Sequence, residues 1–248
     1  MGKVILITGG SRGIGAATAL LAAQQGYAVA INYTANSLAA DDVVRQIRQS
    51  GSPAMAIQAD VAIESQVVTM FEKIDAKFGH LNALVNNAGV VDKTTRVDAM
   101  SLERLQRMFA INVFGSFLCA REAVKRMSTR YGGAGGAIVN VSSAASRLGS
   151  PSQYVDYAAT KGAIDTFTLG LAKEVASEGI RVNAVRPGII DTEIHASGGL
   201  PNRVHALAPG LPLQRAGSAL EVAQAILWLL SDESSYTTGS FLDVAGGR

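Results

Sequence analysis

The chain has 248 residues, 48% of them hydrophobic and 17% charged, with a formal net charge of +2. That length can bury the core of one α/β domain without disulfides or metals, and the composition excludes a disordered chain. Lysines and arginines alternate with acids, which leaves no basic stripe for nucleic acid. The lone Cys119 excludes an internal disulfide framework and fits a reducing cytoplasm.

The first apolar run, residues 4–7, is too short for a signal-peptide core or a membrane span, so a soluble, cytoplasmic protein without a membrane partner is expected. It leads into Thr8-Gly9-Gly10-Ser11-Arg12-Gly13-Ile14-Gly15, and a helical pattern follows over 13–25. Glycines admit positive φ and a close backbone approach to a pyrophosphate, and the helix N-terminus adds unpaired N–H groups. Gly9, Ser11, Arg12, Gly13, Ile14 and Gly15 are therefore read as a dinucleotide-binding turn. The second run, 28–31, ends in Asn32-Tyr33-Thr34. An NAD site usually carries an acid there for the ribose 2′-hydroxyl, and this chain has none. Arg12 can instead pair with a 2′-phosphate, with Asn32, Thr34 and Ser37 as neutral donors. NADP(H) is the expected cofactor, with NAD(H) also usable.

A helical pattern over 37–50 precedes the third run, 54–57, and then Asp60-Val61. Asp60 can accept from an adenine amino group or cap the next helix, 63–78. The fourth run, 81–85, enters Asn86-Asn87-Ala88-Gly89, where small residues let a cofactor lie close and asparagines pin adjoining backbone. The long pattern over 101–127 contains Asn112, a poor interior helix residue, which a kink or a polar role would explain. Cys119, on the same pattern, reads as a small buried apolar residue.

The fifth run, 137–141, meets Ser142-Ser143, and a serine hydroxyl at such a strand end can bond a substrate oxygen. Within the pattern 155–177, Tyr157 and Lys161 stand four apart on one helix face. A free tyrosine titrates near about 10, and a neighbouring ammonium with a positive nicotinamide is expected to lower that. Tyr157 then serves as general acid in reduction and general base in oxidation. After the run 180–185, the stretch from about 188 to 217 is rich in Gly and Pro without a clear period and reads as a mobile substrate lid. A helical pattern at 219–230 and a run at 241–244 finish the chain.

This alternation of buried runs and helices predicts one α/β domain over 1–248. The expected architecture is Rossmann-like and doubly wound, with a mostly parallel seven-stranded sheet and helices on both faces.

Together these motifs resemble the short-chain dehydrogenase/reductase family along essentially the whole chain. The matching residues are Thr8-Gly9, Gly13 and Gly15; Asn86-Asn87-Ala88-Gly89; Asn112; Ser142-Ser143; Tyr157 with Lys161; and Pro187-Gly188 with Thr192. The resemblance implies a catalytic tetrad of Asn112, Ser143, Tyr157 and Lys161. In it Tyr157 transfers the proton, Lys161 binds the nicotinamide ribose and tunes Tyr157, Ser143 orients the carbonyl, and Asn112 holds a water in a proton relay. It adds Asn87, Ala88, Gly89, Pro187, Gly188, Ile189 and Thr192 to the cofactor site, Ile189 and Thr192 at the carboxamide. Members acting on glucose at carbon 1 or on 3-oxoacyl-carrier-protein substrates look most similar.

The expected activity is hydride exchange with a carbonyl or alcohol carbon of a small substrate such as a sugar, polyol or 3-oxoacyl compound. The competing reading, a dinucleotide-binding regulatory or scaffold protein without turnover, would dispense with Tyr157 or Lys161. His80, His195 and His205 lack ligand spacing, so no metal is expected, and His195 at the lid's start is the one weighed for substrate contact. Apolar and small residues along 101–127 and 155–177 point to a homotetramer.

Overall fold

The apolar runs become strands because helices shield both of their faces from water. In the computed structural model, residues 2–193, 198–200 and 202–248 are described. The central strands are β1 (Val4–Ile7), β2 (Ala28–Tyr33), β3 (Ala54–Gln58), β4 (Ala83–Asn86), β5 (Gly136–Val141), β6 (Ile180–Pro187) and, last in the chain, β9 (Phe241–Val244). They pair in the order β3-β2-β1-β4-β5-β6-β9, and every pairing is parallel. The order reverses between β1 and β4, which opens a crevice at the carboxyl ends of those two strands.

Alternate residues of each strand feed opposite layers. Ile5, Ile7, Val29 and Ile31 pack under α1 (Gly13–Gln24), α2 (Ser37–Gln49) and the late helix Ala219–Leu230. Val4, Leu6, Ala28 and Ala30 pack under α3 (Glu64–Phe78), the helix Gly115–Met127 and the long helix Val155–Val175. Such two-sided burial is what the near-continuous Val, Ile, Leu and Ala runs encode.

Three segments differ from the sequence reading. β4 begins at Ala83 rather than at 81, because the Asn82 side chain accepts the Val4 N–H at 2.7 Å in place of a main-chain carbonyl. The single helix expected over 101–127 is α4 (Leu102–Phe109), a π-helical turn Ala110–Phe114 and α5 (Gly115–Met127), with Asn112 at the middle of the turn. π-turns inside α-helices concentrate at functional sites. After β5 come α6 (Ala145–Leu148) and α7 (Val155–Val175). The stretch read as irregular contains β7 (Ile190–Asp191), α8 (Arg203–Leu207) and β8 (Gly217–Ser218), ahead of α9 (Ala219–Leu230). β7 and β8 pair with each other, and Ile189, Val204 and Leu211 form a small core of their own. His195 lies outside the described residues. No helix of the described residues is long and apolar enough to cross a membrane.

Candidate active site

The turn after β1 is shaped by contacts that a larger residue would break. Gly13 sits at φ 54°, a backbone region open to glycine at little cost. At Gly15 an added Cβ would lie 2.4 Å from the Gly9 carbonyl oxygen and 2.6 Å from Asn87 Nδ2. The Asn87 amide donates to the carbonyls of Thr8 at 2.8 Å and Gly9 at 3.0 Å, and Thr8 Oγ1 accepts the N–H groups of Asn87 and Ala88 at 3.0 Å each. These ties fix the turn against the end of β4. The opening N–H groups of α1 lack intrahelical partners, so a phosphate fits against this helix end.

The residues weighed for a 2′-phosphate fall into two groups. Arg12 is exposed at the N-cap of α1, Thr34 is exposed on the β2–α2 connection and Ser37 at the start of α2, while Ser11 and Tyr33, also read as cofactor residues, are partly exposed. Asn32 is buried instead. Its Oδ1 accepts the Gly9 N–H at 3.3 Å and its Nδ2 donates to the Ala59 carbonyl at 2.7 Å, so the side chain frames the turn. Asp60 Oδ1 accepts the Ala62 N–H at 2.9 Å, forming the turn that leads into α3. Val61 is buried against Gly115, where a Cβ would approach its Cγ2 to 2.6 Å.

Loops from the ends of β1, β4, β5 and β6 meet around a cavity of about 150 Å³ lined by Ile14, Asn87, Gly89, Ser143, Tyr157 and Lys161. Pro187, Gly188, Ile189 and Thr192 close another side. Thr192 stands over the glycine turn, with its Cγ2 3.4 Å from the position a Cβ of Gly13 would take.

Tyr157 and Lys161 lie one helical turn apart, with the ammonium 5.6 Å from the phenol ring centroid. Lys161 is 5% exposed and donates to the Val141 carbonyl at 2.7 Å. Burial pulls its pKa down to about 8, with the Asp165 carboxylate opposing that fall. The Tyr157 phenol is raised above its ordinary value by burial, and the Ser143 hydroxyl facing it pulls the other way. The lowering expected from the sequence is thus absent in the protein alone. Loss of hydration outweighs an ammonium that is turned toward Val141, and the bound charge assumed in that expectation is not part of the chain.

The two serines after β5 take different partners. Ser143 faces Tyr157, and its Oγ accepts the Ala145 N–H at 3.1 Å. Ser142 is buried and donates to Asp165 Oδ1 at 2.6 Å. Asn112 shows both the kink and the polar role. Its Oδ1 accepts the Val90 N–H at 2.8 Å, and its Nδ2 donates to the Val90 carbonyl at 3.0 Å and to Thr160 Oγ1 at 3.2 Å. The π-turn thereby fastens the segment after Gly89 to α7. Asn112 Oδ1 and Lys161 Nζ both lie within 4 Å of the Cβ position of Gly89, at 3.5 and 3.7 Å. The site can therefore present a phenol, an ammonium and a hydroxyl to one small polar group.

Several cavity residues carry no motif and escaped the sequence reading. Tyr154 and Arg203 line the same space, the guanidinium carbon 5.4 Å from the ring centroid. Arg203 stands in an aperiodic stretch, where nothing in the sequence separates a cavity arginine from a solvated one. Cys119, by contrast, is buried as expected, and burial pushes its thiol up to about 12.

A family model described as enoyl-(acyl carrier protein) reductase matches residues 9–248. A crystal structure of a short-chain type dehydrogenase/reductase from Mycobacterium marinum is 36% identical, covers 99% of this chain and 95% of that one, and superposes with a TM-score of 0.93. This chain belongs to the short-chain dehydrogenase/reductase family. It is 60% identical to the uncharacterized oxidoreductase YgfF of Escherichia coli (strain K12) over 99% of both chains. It is 39% identical to a 3-oxoacyl-[acyl-carrier-protein] reductase of Synechocystis sp., over 99% of this chain and 96% of that one. The chain is accordingly an oxidoreductase of the dehydrogenase/reductase type.

Proposed function

We propose that the chain is an NADP(H)-dependent oxidoreductase that moves a hydride to or from a carbonyl or alcohol carbon of a small substrate, with NAD(H) as a poorer cofactor. The observation that carries this reading is the meeting of Tyr157, Lys161 and Ser143 with the start of α1 around one cavity. The glycine turn, Asn87, Ala88 and Gly89 hold the dinucleotide, while Pro187, Gly188, Ile189 and Thr192 hold its carboxamide end. Arg12 receives the 2′-phosphate beside Thr34 and Ser37. When bound, the nicotinamide supplies or accepts the hydride.

The chain's own groups handle the proton. Tyr157 donates it to the substrate oxygen in reduction and takes it back in oxidation. Ser143 donates a hydrogen bond to the same oxygen and orients it. Lys161 favours the phenolate through its charge and reaches the ribose, and Asn112 keeps α7 and the segment after Gly89 in register for a water beside Lys161. Residues 1–248 act as one domain, with the stretch 188–217 covering the substrate. Exposed Leu102, Phe114, Phe117 and Leu169 on α4, the π-turn, α5 and α7 support packing into a homotetramer in the cytoplasm.

The test is consumption of reduced cofactor with a panel of ketones, aldehydes and 3-oxoacyl thioesters. Tyr157→Phe should lower turnover by about 10²–10⁴-fold while fluorescence titration still shows cofactor binding. Arg12→Gln should cost about tenfold in kcat/KM with NADPH and much less with NADH. Full turnover in the Tyr157→Phe variant, or equal losses with both cofactors in the Arg12→Gln variant, would remove the corresponding assignment.

A further inference from the structure

Arg203 is half-buried at the start of α8 and faces the cavity of Tyr157 and Lys161, yet no acid pairs with it among the described residues. Two acids, one close in sequence to Tyr154 and one beside Val91, are already engaged. Asp156 is held in bidentate fashion by Arg104 at 2.7 and 3.2 Å, and Asp92 pairs with Arg107. No Asp or Glu stands among the described cavity-lining residues, whereas Lys161, Arg203 and Arg248 do. Val91, Leu148 and Ile189 give the same cavity an apolar wall. What does contact the guanidinium is the face of Tyr154, itself 6% exposed.

A guanidinium held over an aromatic face is restrained by that contact, and its fork suits a planar, bidentate acceptor. A partly desolvated cation without a counter-ion is costly until an anion arrives. We propose that Arg203 and Tyr154 form an anion subsite, and that the substrate carries a carboxylate remote from its reacting carbon. A carboxylate is favoured because one guanidinium fork matches the two coplanar oxygens of one delocalised negative charge. This proposal rests on the hydride-transfer reading and narrows its substrate class.

The experiment compares oxo acids, whose carbonyl and carboxylate are separated by one to four carbons, with their methyl esters. Reduction is measured with NADPH, and binding by calorimetry in the Tyr157→Phe variant loaded with cofactor. The expected result is at least one acid preferred over its ester by about tenfold or more in kcat/KM and in affinity. Arg203→Gln should erase most of that preference by lowering the acid far more than the ester, and Arg203→Lys, which keeps the charge and loses the fork, should fall between. Equal binding of every acid and its ester, or losses in the Arg203→Gln variant shared evenly by both, overturns the subsite. Selective binding of an acid without turnover of any compound upholds the subsite and overturns the hydride-transfer reading. Turnover of esters alone does the reverse.

Discussion

Ser142 and Asp165 are joined by a 2.6 Å hydrogen bond, and the same serine hydroxyl lies 3.3 Å from the Lys161 carbonyl. The strand end thus divides its two hydroxyls, Ser143 to the cavity and Ser142 to the support of Lys161. Asp165 stands one turn beyond Lys161 and also receives Arg186 Nε at 3.0 Å and Arg186 Nη2 at 2.9 Å. Arg186 in turn has Asp243 Oδ1 at 4.0 Å and stacks over Phe241.

That chain of charges gives Asp165 a measurable role in pH dependence. Lys161 titrates near 8 because burial lowers it and Asp165 holds it up. If the ammonium form supports Tyr157, activity falls as pH rises through that value. Asp165→Asn removes the supporting charge and leaves Arg186 less neutralised, and both changes push Lys161 further down. The alkaline limb of kcat/KM should therefore move to lower pH, while the acid limb stays in place. A purely structural loss would lower the whole profile without moving the limb.

The glycine turn offers a sharper steric test. Gly15→Ala places a methyl 2.4 Å from a backbone oxygen, which cannot swing aside as a side chain would. The turn must shift, at a cost of about 1–3 kcal/mol, and the shift falls where a phosphate would lie. Gly170→Ala is the control, since that glycine sits exposed within α7 with nothing within 4 Å of an added Cβ. It should stabilise the fold by about 0.5–1 kcal/mol. Thermal unfolding with and without NADPH checks both. Gly15→Ala should lose most of the ligand-induced shift, and Gly170→Ala should keep it.

Much of this layout was readable from residue order, for reasons that can be traced position by position. The strands were legible because burial on both faces demands unbroken apolar runs, as in Val4–Ile7. Tyr157 and Lys161 were legible because a four-residue spacing puts them on one helix face. The start of β4 was missed because the Asn82 side chain mimics a backbone acceptor there, which a hydropathy pattern does not register. Asn32 was legible as a polar residue at a strand end, yet whether its amide faced solvent or the Gly9 and Ala59 backbone depended on β3 lying beside it. The sign of the Tyr157 shift depended on how completely the phenol loses water, a quantity set by α7, the Ser143 loop and the β6 end together. Arg203 was invisible for the same reason: its significance lies in which acids are already paired.

The tie between Arg104 and Asp156 separates stability from alignment. Asp156, directly before Tyr157, has a side chain with 0% exposure, and Arg104 also donates to the Lys93 carbonyl at 2.6 Å. One guanidinium therefore joins α4, the segment after Gly89 and the first turn of α7. Arg104→Met leaves a buried carboxylate unpaired and should cost about 3–5 kcal/mol in urea unfolding. The double variant Arg104→Met with Asp156→Leu replaces the pair by apolar volume and should recover most of that loss, because buried ion pairs and well-packed hydrophobic groups are often near balance. Activity should not return with stability. The Lys93 carbonyl would have lost its donor, and the first turn of α7, which carries the phenol, would no longer be anchored to the segment after Gly89. Recovery of kcat together with stability in the double variant would show that the pair serves the fold alone and that Tyr157 is aimed by α7 packing without it.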